Sequence, residues 1–128
     1  MIPEHLLDPE ATLFTWQELM GWLKSKPHEE VVGVPKEPTQ DPVARFLKNK
    51  FGVTFAVYGE YAELMEPLPG EEERRFWYLP LWTLELTEEI DRRNEPITAA
   101  EAAHILDNVI WGSVPAGTAM RILTGELA

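Results

Sequence analysis

The chain has 128 residues, with 22 acidic and 11 basic side chains and a net charge of −11. It has no cysteine, which excludes disulfides, a thiolate nucleophile and any cysteine-containing zinc site. Its five tryptophans and 45% hydrophobic content suffice for one core, while the negative charge disfavours phosphate backbones and anionic membranes as ligands.

Met1 to Asp8 lacks a basic start and a sustained apolar run, so no secretory signal is read there. Residues 1–12 are expected to be a mobile N-terminal segment. Thr15-Trp16-Gln17-Glu18 has the spacing of a capping box. Trp16, Leu19, Met20 and Leu23 follow at i, i+3, i+4 and i+7, predicting a helix from Trp16 to about Lys26, before Pro27. Trp22 falls off that stripe.

Glu30 to Val34 is a short β-branched run read as a strand, and residues 35–40 read as a loop. Asp41-Pro42 opens a second helix, with aspartate as N-cap and proline at its first position, and Gly52 closes it. Val53–Tyr58 and Tyr61–Met65 flank Gly59-Glu60, a two-residue connection suited to a hairpin with a II′ turn. Pairing Tyr58 with Tyr61 sets Val57 opposite Ala62 and Phe55 opposite Leu64 on one apolar face. The other face receives Tyr58, Tyr61, Ala56, Glu63, Thr54 and Met65.

Pro67-Leu68-Pro69-Gly70 and Glu71-Glu72-Glu73 form an exposed loop, after which Arg74 to Leu79 returns as a third strand. If so, Phe76 and Trp77 point to opposite sides, and at least one leaves the main core. Pro80 begins a helix to about Arg93 with Trp82, Leu86 and Ile90 inward, the alternative being a strand that runs on past Pro80. Thr98-Ala99-Ala100-Glu101 is a second capping box, starting a helix that buries Ala99, Ala102, Ala103, Leu106, Val109 and Ile110. A final helix carries Ala116, Ala119, Met120 and Leu123 and ends at Gly125. The whole reads as a single α+β domain over residues 1–128, with an antiparallel three- to four-stranded sheet, a central hairpin and four to five short helices.

The three histidines, His5, His28 and His104, have no second histidine at metal-ligand spacing and no nucleophilic serine beside them. Glu85, Glu88, Glu89 and Asp91 crowd one stretch, but Arg92 lies i+4 from Glu88 and Arg93 i+4 from Glu89, so a self-paired solvated face is expected. No glycine-rich phosphate loop and no G-x-S-x-G setting is present. No catalytic residue, metal or cofactor is predicted.

Ile97 to Leu106, Ile-Thr-Ala-Ala-Glu-Ala-Ala-His-Ile-Leu, resembles the first helix of excisionase-type helix-turn-helix domains over ten residues. The resemblance implies a DNA-binding helix pair. The chain departs from that pattern where a tight turn and a basic recognition helix should follow. Asp107 to Trp111 extends the apolar face, and Arg121 is the sole base from Glu95 to Ala128.

One basic locus stands out: Arg45 and Lys48 facing outward on the second helix, with Lys50 snorkelling beside Phe46 and Leu47. Helix-dipole complementation accounts for it, and a partner's carboxylate or phosphate would fit it. The leading expectation is a non-enzymatic acidic protein-interaction module of the cytoplasm, acting as an oligomer, adaptor or inhibitor. One form of it would occupy a basic, nucleic-acid-binding cleft on a protein partner. Its candidate partner-binding residues are Trp22, Tyr58, Tyr61, Glu71, Glu72, Glu73 and Trp77. The alternatives are a nucleic-acid-associated regulator using Arg45, Lys48, Lys50 and the C-terminal helix pair, and a small enzyme using Glu85, Glu88 and Asp91.

Overall fold

The structure, a computed structural model, describes residues 2–112. The expected final helix, with Arg121 and the second member of the C-terminal pair, lies outside the described residues. After a short 3-10 turn at Glu4–Leu6, the elements run α1 (Trp16–Lys24), β1 (Val31–Gly33), α2 (Pro42–Phe51), β2 (Phe55–Val57), β3 (Tyr61–Leu64), β4 (Phe76–Tyr78), α3 (Leu81–Asp91), β5 (Ile97–Thr98) and α4 (Ala99–Gly112). Among the described residues this is an α+β fold of four α-helices and two antiparallel sheets. None of these helices is long and apolar enough to cross a membrane.

The helix starts follow from local chemistry. The Thr15 hydroxyl accepts from the Glu18 amide at 3.2 Å and the Glu18 carboxylate accepts from the Thr15 amide at 3.1 Å, a complete capping box. Asp41 accepts from the Val43 amide at 2.7 Å, and Gly52 ends α2 with a left-handed φ of 75°. At α4 the box is altered. Thr98 accepts from the Glu101 amide but donates its hydroxyl to the Glu101 carboxylate, because Thr98 also belongs to the β1–β5 pair. The first amides of α4 are satisfied instead by main chain, Ala99 donating to Glu30 and Ala100 to His28.

The hairpin register pairs Phe55 with Leu64, Ala56 with Glu63 and Val57 with Ala62, and β4 adds Trp77 opposite Ala62. The strands do not form one sheet of up to four. β1 pairs with β5, a two-residue strand absent from the sequence reading, while β2-β3-β4 is separate, with β3 rather than the hairpin at its centre. Both edges of the three-stranded sheet are taken by loops: Val57 donates to the Pro38 carbonyl and Tyr78 to the Pro9 carbonyl. No edge is left for β1. The helix after Pro80 is present, and the strand stops at Tyr78.

Phe55, Val57, Ala62, Leu64 and Trp77 are buried on the inner face of that sheet, where Phe55 meets both Phe51 and Trp77. α4 carries Ala102, Ile105, Leu106 and Val109 into the same core and is packed by α1, α3 and β5. The N-terminal segment, expected to be mobile, is tied to β4. Trp77 Nε1 donates to the Leu6 carbonyl, Arg75 to that of Leu7, and Ile2 is buried.

Candidate functional site

Strand alternation decides which side chains reach solvent. With Ala62 and Trp77 inward, their neighbours Tyr61, Glu63, Phe76 and Tyr78 must face outward. Tyr58 joins them at the hairpin end. These four aromatic rings are between 38% and 60% exposed. They form a connected strip: Tyr58 stacks on Tyr61 with centroids 5.0 Å apart, Tyr61 meets Phe76 edge-on at 6.5 Å, and Phe76 meets Tyr78 edge-on at 5.3 Å. Leu81, 69% exposed, follows Tyr78 at the start of α3. Scattered exposed apolar residues need no explanation, whereas a connected strip of rings calls for one.

The predicted partner-binding residues divide accordingly. Tyr58 and Tyr61 lie in the strip. Trp77 does not reach the surface at all, with 0% exposure and its ring against Phe55. Trp22 is half-buried on Phe46, with the Lys26 ammonium 5.3 Å over its ring, so it presents no free face there. Of the glutamate triplet, Glu71 makes a two-pronged pair with Arg75, whose guanidinium holds its carboxyl below the usual range. Glu72 and Glu73 are exposed. Phe76 and Tyr78, the other two rings of the strip, were not among the predicted residues. The signal was the small Ala62, which leaves room opposite itself for Trp77 and so turns its neighbours outward, but it is readable only once the β3–β4 register is known.

The basic locus is largely occupied. Arg45 donates to the Gln40 side chain at 3.2 and 2.8 Å and to the Val31 carbonyl at 3.2 Å, so it does not stand outward beside Lys48. Lys50 bonds the Leu13 carbonyl at 2.8 Å and Glu18 at 2.7 Å, bridging α2 to α1 rather than lying along Phe46 and Leu47. Lys48 is exposed and, with Arg45, borders a cleft of about 830 Å³ whose other walls include Met65, Leu68 and Pro69.

The carboxylate stretch on α3 is split. Glu85 and Glu88 line a cleft of about 410 Å³ with His104 and Asn108, whereas Asp91 turns away to accept the Lys36 amide at 2.8 Å. The expected i, i+4 pairs are absent: Arg92 pairs with Glu89, and Arg93 reaches Glu101 of α4 at 3.8 Å. Arg92 keeps αR backbone geometry as the cap of α3, its amide donating to the Glu88 carbonyl, but its side chain turns to Glu89, and Arg93 lies beyond the cap. Among the described residues, no three His, Asp or Glu converge where they could hold a metal ion.

A further cleft, of about 580 Å³, runs between the extended segment before α1 and the β4–α3 corner. Its walls include Glu10, Phe14, Trp16, Tyr78, Pro80 and Trp82. Tyr78 belongs to both this cleft and the strip, so the two surfaces are continuous.

No protein-family model, curated protein or solved structure matches this chain.

Proposed function

We propose that this chain is a non-enzymatic interaction module that binds a basic partner protein through the aromatic outer face of its three-stranded sheet. The observation that carries this reading is the connected Tyr58–Tyr61–Phe76–Tyr78 strip on the outer face of the sheet, whose rings keep 38% to 60% of their surface in solvent. Aromatic side chains dominate interface energetics because they bury much area for few frozen rotors. The charge pattern supports a basic partner. The net charge is −11, Glu60, Glu72 and Glu73 are exposed, and Arg74, which precedes β4, is paired with Glu63 at 3.2 Å. A basic, nucleic-acid-binding cleft on the partner is the concrete form of this reading, with electrostatics setting the on-rate and the rings holding the complex.

The test compares wild type with Tyr61→Ser and Phe76→Ser in capture from host lysate at low and moderate salt, read by mass spectrometry. Light scattering of the pure proteins accompanies it. A basic protein enriched by wild type, lost in both variants and weakened by salt is the expected result. Equal capture by the variants overturns the proposed face. A homo-oligomer that the variants dissolve, with no partner captured, replaces the basic partner with a second copy of the chain.

A further inference from the structure

The cleft beside the strip has a composition that selects a particular chemistry. Three aromatic side chains border it from three different elements: Trp16 at the start of α1, Tyr78 on β4 and Trp82 on α3. Trp82 packs edge-to-face with Phe14, another wall residue, with centroids 5.6 Å apart. Leu79 and Pro80 add an apolar floor along which a methylene stem could lie. The only ionisable wall residue besides the Tyr78 phenol is Glu10, and it pairs with no cation among the described residues. The Tyr78 amide bonds the Pro9 carbonyl at 2.9 Å, which holds the backbone before Glu10 against β4, and Glu10 and Tyr78 line the same cleft.

Two other rings among the described residues, half-buried Trp22 and buried Phe51, are met by the chain's own lysines. Lys26 lies 5.3 Å over Trp22 and Lys50 lies 5.3 Å over Phe51. Among the described residues, Trp16, Tyr78 and Trp82 receive no such cation. A π-lined cleft with one uncompensated carboxylate, on a molecule of net charge −11, is complementary to a cation on an apolar stem. Its size is in the range of sites that enclose a ligand group, and it is larger than one side chain, leaving room for flanking backbone.

We propose that this cleft receives an arginine or lysine side chain from a basic polypeptide segment. The inference deepens the proposed function by naming the partner chemistry at the end of the same aromatic surface, and it rests on that reading for the partner's basic character. The ring faces attract the cation through their quadrupoles, Glu10 supplies the opposite charge, and Leu79 and Pro80 pack the stem.

The test uses the full chain and three blocked hexapeptides of glycine and serine with two arginines, two lysines or two citrullines. Binding is followed on the indole N–H signals in ¹⁵N-correlated NMR spectra at low salt, each assigned by a Trp→Phe substitution. The expected result is saturable movement of the Trp16 and Trp82 signals with the arginine or lysine peptide, while Trp22 and Trp77 stay still. Citrulline, which keeps the shape and removes the charge, should bind at least tenfold more weakly. Glu10→Gln and Tyr78→Ser change exposed residues and should each weaken binding severalfold without unfolding the chain. Absence of movement at Trp16 and Trp82, equal binding of the citrulline peptide, or indifference to both substitutions overturns the proposal. Tyr61→Ser and Phe76→Ser separate the two readings, because they leave the cleft intact. If they abolish partner capture while the peptides fail to bind, the cleft falls alone; if the peptides bind and capture is unaffected, the sheet face falls and the cleft stands.

Discussion

Trp77 donates its indole N–H to the carbonyl of Leu6 across 2.6 Å, joining the middle of β4 to a segment 71 residues earlier in the chain. The bond gives a buried tryptophan the polar partner it needs and holds residues 6–9 along the edge of the sheet. Trp77→Phe keeps an aromatic ring but leaves the Leu6 carbonyl unpaired and removes volume from a fully buried site. We expect a loss of roughly 2–4 kcal/mol in urea unfolding. Amide hydrogen exchange should show faster exchange at Leu6 and Tyr78 than in the strands β2 and β3.

Asp41 is buried at the start of α2. Burial pushes its carboxyl up from 3.8 to about 7, reinforced by the nearby Asp91 charge and opposed by hydrogen bonds from the Val43 amide and the Thr87 hydroxyl. Between those values the unfolded chain has lost the proton and the folded chain keeps it. Folding then binds a proton, so this group's stabilisation is complete below about pH 4, falls as pH rises, and levels off above about pH 7. At ~1.4 kcal/mol per pH unit, the full span is on the order of 4 kcal/mol. Asp41→Asn keeps an oxygen for the Val43 amide and cannot ionise. Urea unfolding at pH 5 to 8 should show the variant's stability falling less than that of wild type, with the gap growing toward pH 8. Parallel curves would mean that Asp41 is ionised throughout.

Two glycines with positive φ separate backbone strain from crowding. Gly52 has φ of 75° and open space where a Cβ would sit; Gly59, in the hairpin turn, has φ of 85° and would place a Cβ 2.7 Å from Leu84 Cδ1 of α3. Gly52→Ala should cost about 1 kcal/mol, the left-handed conformation alone. Gly59→Ala should cost more, about 2 kcal/mol, because Leu84 must also shift. Thermal or urea unfolding of the pair provides the comparison, and equal losses would mean that Leu84 moves freely.

The Lys50–Glu18 contact at 2.7 Å joins α2 to α1 but is partly exposed, at 30% and 43% of the two side chains. Lys50→Met keeps the stem and removes the charge, and should cost less than about 1 kcal/mol in 0.15 M salt. The Lys50 ammonium holds the Glu18 carboxyl below its usual range, so its small contribution is present near neutral pH and lost as the solution is acidified through that lowered value. Titrating Glu18 by NMR in both proteins checks this: its midpoint should rise in Lys50→Met.

Features set by neighbouring residues were legible in the chain. The Thr15–Glu18 box, the Asp41-Pro42 start, the Gly52 stop and the Phe55–Leu64 register all depend on contacts within a few residues, whose geometry the backbone repeats wherever such residues recur. β5 was not legible, since two residues carry no periodicity and Ile97-Thr98 becomes a strand only by meeting Val31 and Gly33. The α3 carboxylates misled for a related reason. Their arginines were close in sequence, but Arg92 turned to Glu89, and Arg93, past the helix cap, reached across to Glu101 of α4.

The candidate site shows the same division. The sequence by itself determined that the protein is acidic and rich in tryptophan, that a hairpin joins Phe55 to Leu64, and that Phe76 and Trp77 part to opposite sides if their segment is a strand. Only the tertiary structure decided which of them is buried. Ala62 leaves the space that Trp77 fills, Leu6 supplies the acceptor its indole needs, and the outward neighbours fall into contact with Tyr61 across the strand pair. Alternation is a local property of a strand, but the choice of inner face depends on volume and hydrogen bonding contributed from distant parts of the chain.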